Sequence, residues 1–295
     1  MHYESKFMDW HTKAWVKKPE KQYFPARLFP AADHPLVLAR GEQVRRALLV
    51  KRLYGYASFT ALLESDLVNP VTLLIAAGRL PVAFPAAMRQ DADLILIDET
   101  THAAESNKLI AEVELLTGVR STPFTPEPMA KYARLIDAQT PELRGLCQLA
   151  CGIVSETLIS STLSGIPSDP ATKAMVQEYA REHGRDEARH HAFFSQVLQH
   201  SWPQLTAAQK ETVSLVAPRF MTAFLSPDVP SISNDLLSLG FTAEQTAQIV
   251  AEKVTTPETM AGIRTSVQKS IGYFAALGAL ELPGVREAFE DEGLL

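Results

Sequence analysis

One short pattern limits this chain more than any other feature: Asp98, Glu99 and His102 recur as Asp186, Glu187 and His190, each time inside a long stretch of helical periodicity. Glutamate and histidine three apart share a helix face, so each copy presents a carboxylate and an imidazole together. A lone Glu-x-x-His is a weak signal in 295 residues. A second copy, again led by aspartate, predicts two helices facing one another across a shared cation site. Bundles that hold two metal ions draw such a pair from each of two helices and one further glutamate from each of two others. The aspartates have a physical task in that arrangement, because each can accept the outward ring N–H of the opposite histidine and fix its orientation. Asp98 is therefore expected to hold His190, and Asp186 to hold His102.

The two further carboxylates should be lone glutamates on apolar helix faces, since a buried ionised group without a cation or donor is costly. Glu64 closes the run from Tyr56 through Leu63, and Glu156 sits between Cys151 and Ile159 among apolar neighbours. His183 lies four before Glu187 and seven before His190, and steps of 100° bring the three within about 60° of arc on one helix face. It is read as a seventh ligand, with Gly184 beside it marking a close approach or local bulge. His2, His11, His34, His191 and His200 have no partner at ligand spacing and are read as structural or exposed. Cys147 and Cys151 are four apart in an apolar stretch and are expected to be packed, reduced thiols.

The rest of the chain reads as helix. Pro25, Pro30 and Pro35 make the first forty residues a short helix and then an irregular strap over the core. Helical periodicity then covers 41–78 with a break at Pro70, 86–118, 141–164, 170–200, 206–226, 242–253 and 257–280. Helix starts are signalled at Thr125-Pro126, Thr140-Pro141, Asp169-Pro170 and Thr256-Pro257, and as capping boxes from Thr206 to Gln209 and Thr242 to Gln245. The expected fold is all-α, a ferritin-like four-helix bundle core over 41–200 with an N-terminal segment 1–40 and covering C-terminal helices 201–295 in the same domain. A net charge of −6 gives no long-range attraction for nucleic acid. No window holds about 18 uninterrupted apolar residues and the N-terminus lacks a signal-peptide core, so no membrane role is expected and the location is read as cytoplasmic.

In order, Glu64, Glu99, His102, Glu156, His183, Glu187 and His190 resemble the p-aminobenzoate N-oxygenase family of non-haem di-iron enzymes. The added histidine in H-x-x-x-D-E-x-x-H is the specific part of the resemblance; Glu-x-x-His pairs alone suit ribonucleotide reductase small subunits, hydrocarbon monooxygenases and ferritin-like proteins equally. The resemblance implies two iron ions, O2 as co-substrate, an external electron donor, a homodimer, and oxidation of an amine to hydroxylamine, oxime, nitroso or nitro product in secondary metabolism. Carboxylates and imidazoles suit iron, and bridging glutamates can hold two ions about 3.5–4 Å apart. On the helix of Glu64, the residues facing the same way are Thr60, Ala57, Tyr56 and Leu53, none of them basic, with Arg52 three turns away. The expected substrate is thus an aryl amine without a free carboxylate, or an amino acid bound as a thioester to a carrier protein. Tyr54, Phe59, Phe193, Phe194, Phe220 and Phe224 are candidate walls of its pocket. A carbon hydroxylase or desaturase, a ferritin-like ferroxidase and a metal-free helical bundle are the alternatives the residues leave open.

Overall fold

The computed structural model describes residues 21–163 and 165–295. The short helix expected at the N-terminus lies outside the described residues. Twelve α-helices follow: α1 (Pro35–Leu38), α2 (Glu42–Leu63), α3 (Asn69–Ala76), α4 (Ala86–Thr117), α5 (Glu127–Asp137), α6 (Pro141–Leu163), α7 (Ala174–Ser201), α8 (Ala207–Leu225), α9 (Val229–Ser238), α10 (Ala243–Lys253), α11 (Pro257–Ala276) and α12 (Val285–Asp291). No strand occurs among the described residues, and the fold is the expected all-α one. Helices α2, α4, α6 and α7 form the bundle core. The strap is tied to the start of α7 by Gln22, whose N–H donates to Ala171 and whose carbonyl accepts from Lys173, each at 2.8 Å. It does more than lie on the surface, since Phe24 and Phe29 are buried in the core.

Both capping boxes form. Thr206 and Gln209 open α8, and Thr242 and Gln245 open α10, each pair satisfying two backbone donors reciprocally. The sequence misleads at three places. Pro70 does not break its helix: the chain passes from α2 into α3 through a π-turn, Glu64–Val68, in which the Asn69 N–H reaches back to the Glu64 carbonyl. The wider turn absorbs the missing N–H and the ring of a proline that would clash in a tight α register. Of the close approach or bulge expected at Gly184, the bulge is absent, because α7 runs through it as regular α-helix. Asp169-Pro170 does not start α7: Asp169 accepts the Ala171 N–H at 2.8 Å in a separate turn, and the helix begins at Ala174. The short helices α5, α9 and α12 were not among the periodic runs, α5 alone having a start signal.

Two apolar cores occupy the two ends of the bundle. One gathers Ala92 and Ile95 of α4, most of α6, and Phe193, Phe194 and Val197 of α7; the other gathers Leu49 and Leu53 of α2, Leu109 and Val113 of α4, and Val176 and Tyr179 of α7. Between them, in the middle of α4 and α7, come the Glu-x-x-His residues. The run Glu42–Ala76 is long and apolar enough by length and composition to cross a membrane, yet it carries Glu64 at 0% exposure inside the bundle. Just over half of that apolar window, 56%, is buried against its neighbours.

Candidate metal centre

All seven side chains singled out by spacing converge on the layer between the two cores. Glu64 stands where α2 meets the π-turn, Glu99 and His102 on α4, Glu156 on α6, and His183, Glu187 and His190 on α7. Each is 3% exposed or less. Ligand atoms of Glu99, His102, Glu187 and His190 lie within 4.8 Å of one another, as do those of Glu64, His183 and Glu187, and those of Glu64, Glu99 and Glu156. Glu99 and Glu187 are the hubs. Glu99 meets the Nδ1 atoms of His102 at 2.8 Å and of His190 at 2.6 Å, and Glu187 Oε1 lies 2.8 Å from His183 Nε2 and 3.6 and 3.7 Å from His102 and His190 Nδ1.

Helix periodicity explains the convergence. On α7 the steps of four and three residues keep His183, Glu187 and His190 on one stripe, and the rings of His102 and His183 lie 4.1 Å apart across α4 and α7. On α6, Gly152 sits one turn before Glu156 and lets α3 approach: a Cβ there would stand 3.1 Å from Val71 Cγ1. The absent side chain thus brings Glu156 to the cluster.

The electrostatics ask for cations. Burial, then the neighbouring carboxylates, push Glu64 and Glu156 well above the usual carboxylate range. Burial acts the same way on Glu99 and Glu187, but hydrogen bonds from the histidines outweigh it and hold both below that range. Both oxygens of Glu64, and one each of Glu156 and Glu187, are buried without a hydrogen-bond partner. Groups so placed are expensive unless something positive fills the space among them. Four carboxylates match the charge of two divalent ions, and mixed oxygen and imidazole donors suit iron or manganese rather than calcium. The residues fit such a pair of ions.

Outside the cluster, Asp186 Oδ2 is 3.5 Å from His102 Nε2 and Asp98 Oδ2 is 3.5 Å from His190 Nε2, so each aspartate faces the histidine of the other helix. Spacing had missed the group that joins them: Arg189 donates to both Asp98 and Asp186. Its signal is positional, one residue before His190 and three after Asp186. Of the remaining histidines, His34 caps α1 and meets Glu252 at 3.1 Å, His191 reaches the Tyr273 hydroxyl at 2.8 Å and His200 the Ala83 carbonyl at 2.8 Å. His2 and His11 lie outside the described residues. Cys147 and Cys151 are free and buried, and burial raises both thiols.

A chamber of about 250 Å³ opens between α2, α6 and α8; none of the seven cluster residues lines it, but Thr60 and Ile159, each one turn from a cluster glutamate, do. Arg52, Gly55, Tyr56, Phe59 and Thr60 of α2 form one wall; Ile159, one turn beyond Glu156, and Phe224 of α8 form another. Residues 226–232 and 253–259 close its outer end. The Tyr56 and Thr60 hydroxyls are buried without hydrogen-bond partners. Of the six aromatic wall candidates, only Phe59 and Phe224 line the chamber; Tyr54 donates its hydroxyl to the Val119 carbonyl, and Phe193, Phe194 and Phe220 pack in the core. The expectation of a wall without a basic residue also fails. The chamber follows residues 52, 55, 56, 59 and 60, a helical stripe rotated by roughly 100° from the face of Glu64, and Arg52 stands at its far end.

Comparison with known proteins gives a family match and a relative. The family described as p-aminobenzoate N-oxygenase AurF matches residues 3–278. The 4-aminobenzoate N-oxygenase of Streptomyces thioluteus is 25% identical over 221 residues, which is 74% of this chain and 66% of that protein. The match spans just under two thirds of the relative.

Proposed function

The chain belongs to the p-aminobenzoate N-oxygenase family, and from that premise we propose that it is a di-iron N-oxygenase that converts an aryl amine to its hydroxylamine. The overall balance is R–NH2 + O2 + 2 e− + 2 H+ → R–NHOH + H2O, with the electrons supplied by an external donor. The observation that carries the reading is the pairing of two features: a buried cluster of four carboxylates and three imidazoles, and a largely apolar chamber large enough for a ring, walled by Thr60 and Ile159 one turn from Glu64 and Glu156. A protein that only oxidises iron needs the first and has no use for the second.

Glu64, Glu99, His102, Glu156, His183, Glu187 and His190 would hold the irons, Glu99 and Glu187 being the carboxylates that meet most of the histidines. When bound, the pair supplies the two-electron activation of O2. The chain does the rest. Phe59, Ile159 and Phe224 keep water from the chamber and press on the faces of an aromatic ring. The Tyr56 and Thr60 hydroxyls are the nearest unspent polar groups, able to accept an amine N–H and turn its lone pair toward the cluster. Burial, then Tyr179 and the nearby carboxylates, pushes the Tyr56 phenol well up, so it stays protonated and offers a donor as well as an acceptor. Asp98 and Asp186 keep the imidazoles in register.

Mass spectrometry on iron-loaded, chemically reduced protein given isotopically labelled O2 and a panel of aryl amines tests this. The expected product carries one labelled oxygen on nitrogen. Hydroxylation on carbon would replace the reading by the hydroxylase alternative, and consumption of O2 with no organic product would favour the ferroxidase.

A further inference from the structure

Another hollow, of about 610 Å³, lies between α4 and α7, and unlike the chamber it touches the donors themselves: His102 and His183 stand in its wall. His183 is 1% exposed. Its Nε2 meets Glu187 Oε1 at 2.8 Å, and its Nδ1 is buried without a hydrogen-bond partner. An imidazole that donates from Nε2 to a carboxylate keeps a lone pair on Nδ1, so the ring has a nitrogen donor that the cluster does not use. Glu105 of α4, itself buried, and Glu182 of α7 line the same hollow. Carboxylate and imidazole together are the donor set of the cluster, repeated one layer further out.

The charges around the hollow suit a passing cation. Asp98 and Asp186 add two more acids to its wall, and two arginines answer the four: Arg185 meets Glu182 at 2.8 Å, and Arg189 meets Asp98 at 3.2 Å and also Asp186. The arginine side chains are 65% and 63% exposed. Ion pairs held that far out in water contribute little, so a divalent ion displaces them readily, and the carboxylates left behind focus a negative field on the cleft. Among the described residues, three or more metal-donor atoms come within 4.8 Å of one another only in the cluster. The hollow is therefore built to draw an ion in and not to store it. A neighbouring hollow meets His190, but Leu94, Ile95 and Phe193 wall it beside Asp91, which makes it a costlier path for a hydrated ion.

Resting on the reading of the cluster as a metal centre, we propose that the hollow between α4 and α7 is the entry vestibule for ferrous ions, in which Glu105 and Glu182 draw the ion from water to His183, the donor that borders both hollow and cluster. Neither glutamate holds the ion once it has arrived. Each therefore acts on the rates of entry and exit alike and leaves the equilibrium between them in place.

Stopped-flow uptake of cobalt(II) by the full chain stripped of metal, read by visible absorption, and release from the loaded chain to a chelator test the proposal without turnover. Uptake is expected to slow as salt is raised. Changing Glu105→Gln and Glu182→Gln together is expected to slow uptake and release alike by about tenfold, with the same number of ions bound and a far smaller change in Kd. Arg185→Gln, which uncovers Glu182, is expected to speed uptake, and Asp91→Asn, in the neighbouring hollow, to leave it unchanged. Uptake by the double variant at the unaltered rate would overturn the vestibule. So would a Kd weakened by the same factor as the rate, which would place the two glutamates in the final site, or slowing by Asp91→Asn, which would move entry to the hollow beside His190. Should the double variant not fold, the unaltered chain and Arg185→Gln decide: uptake indifferent both to salt and to loss of the arginine overturns the proposal. A chain that binds no cobalt(II) in any form would bring down the metal centre itself, and the vestibule with it.

Discussion

His102 and His190 each turn Nδ1 into the cluster and Nε2 toward an aspartate 3.5 Å away. An acceptor in that place fixes tautomer and ring orientation, and its loss commonly weakens metal retention by about 10–100-fold. Asp98→Ala and Asp186→Ala are expected to lose iron to a competing chelator at concentrations lower by that factor while keeping their helical content; unchanged retention would mean that the aspartates serve only the surface bridge to Arg189. At this scale the sequence was informative wherever chemistry is local. Glu99 with His102, and His183 with Glu187 and His190, sit at spacings that backbone geometry alone converts into a shared face. Arg52 was misjudged for the opposite reason: which stripe of α2 faces a cavity is decided by Phe224, Ser231 and Val254, residues far along the chain that no local spacing reveals.

The contact between α3 and α6 is set by a missing side chain. A methyl group at Gly152 would stand 3.1 Å from Val71 Cγ1, closer than ordinary packing allows. Gly152→Ala is therefore expected to destabilise the protein by about 1–3 kcal/mol through overpacking, and to move Glu156, one turn further on, away from Glu64 and Glu99. Adding Val71→Ala should recover part of that loss in urea unfolding; two strictly additive losses would show that the helices do not press on one another there. Elements were legible where periodicity was long. The π-turn at Glu64–Val68 was hidden, because proline in a helical pattern signals a break whether the chain stops or widens its turn. Asp169-Pro170 misled because the same pair caps an isolated turn as readily as a helix.

The two apolar cores hold between them a layer in which protons stand in for metal ions until these arrive, and this makes the stability of the whole molecule respond to pH and metal together. In the metal-free chain, burial and neighbouring carboxylates raise Glu64 and Glu156 well above the usual range; against the cost of burial, Asp186 and Glu99 raise His102 to about 10, and Asp98, Glu187 and Glu99 raise His190. Groups with raised values bind more protons folded than unfolded once pH exceeds their unfolded values, so their contribution is lost as pH climbs through the folded ones. The Tm of metal-free protein is accordingly expected to fall between about pH 7 and about pH 9. Ferrous iron under argon should raise it, by about 2.7 kcal/mol of stability at a hundred times Kd, and flatten the slope as ions replace protons. A metal-free Tm that climbs over this interval would mean that the layer is not held by protons.

The outer end of the chamber comes from residues 226–232 and 253–259, all of them translated after His190, the last donor of the cluster. The inner walls of the chamber, by contrast, share α2 and α6 with Glu64 and Glu156. Substitutions in the tail can therefore reshape the mouth of the chamber while every side chain of the cluster stays in place.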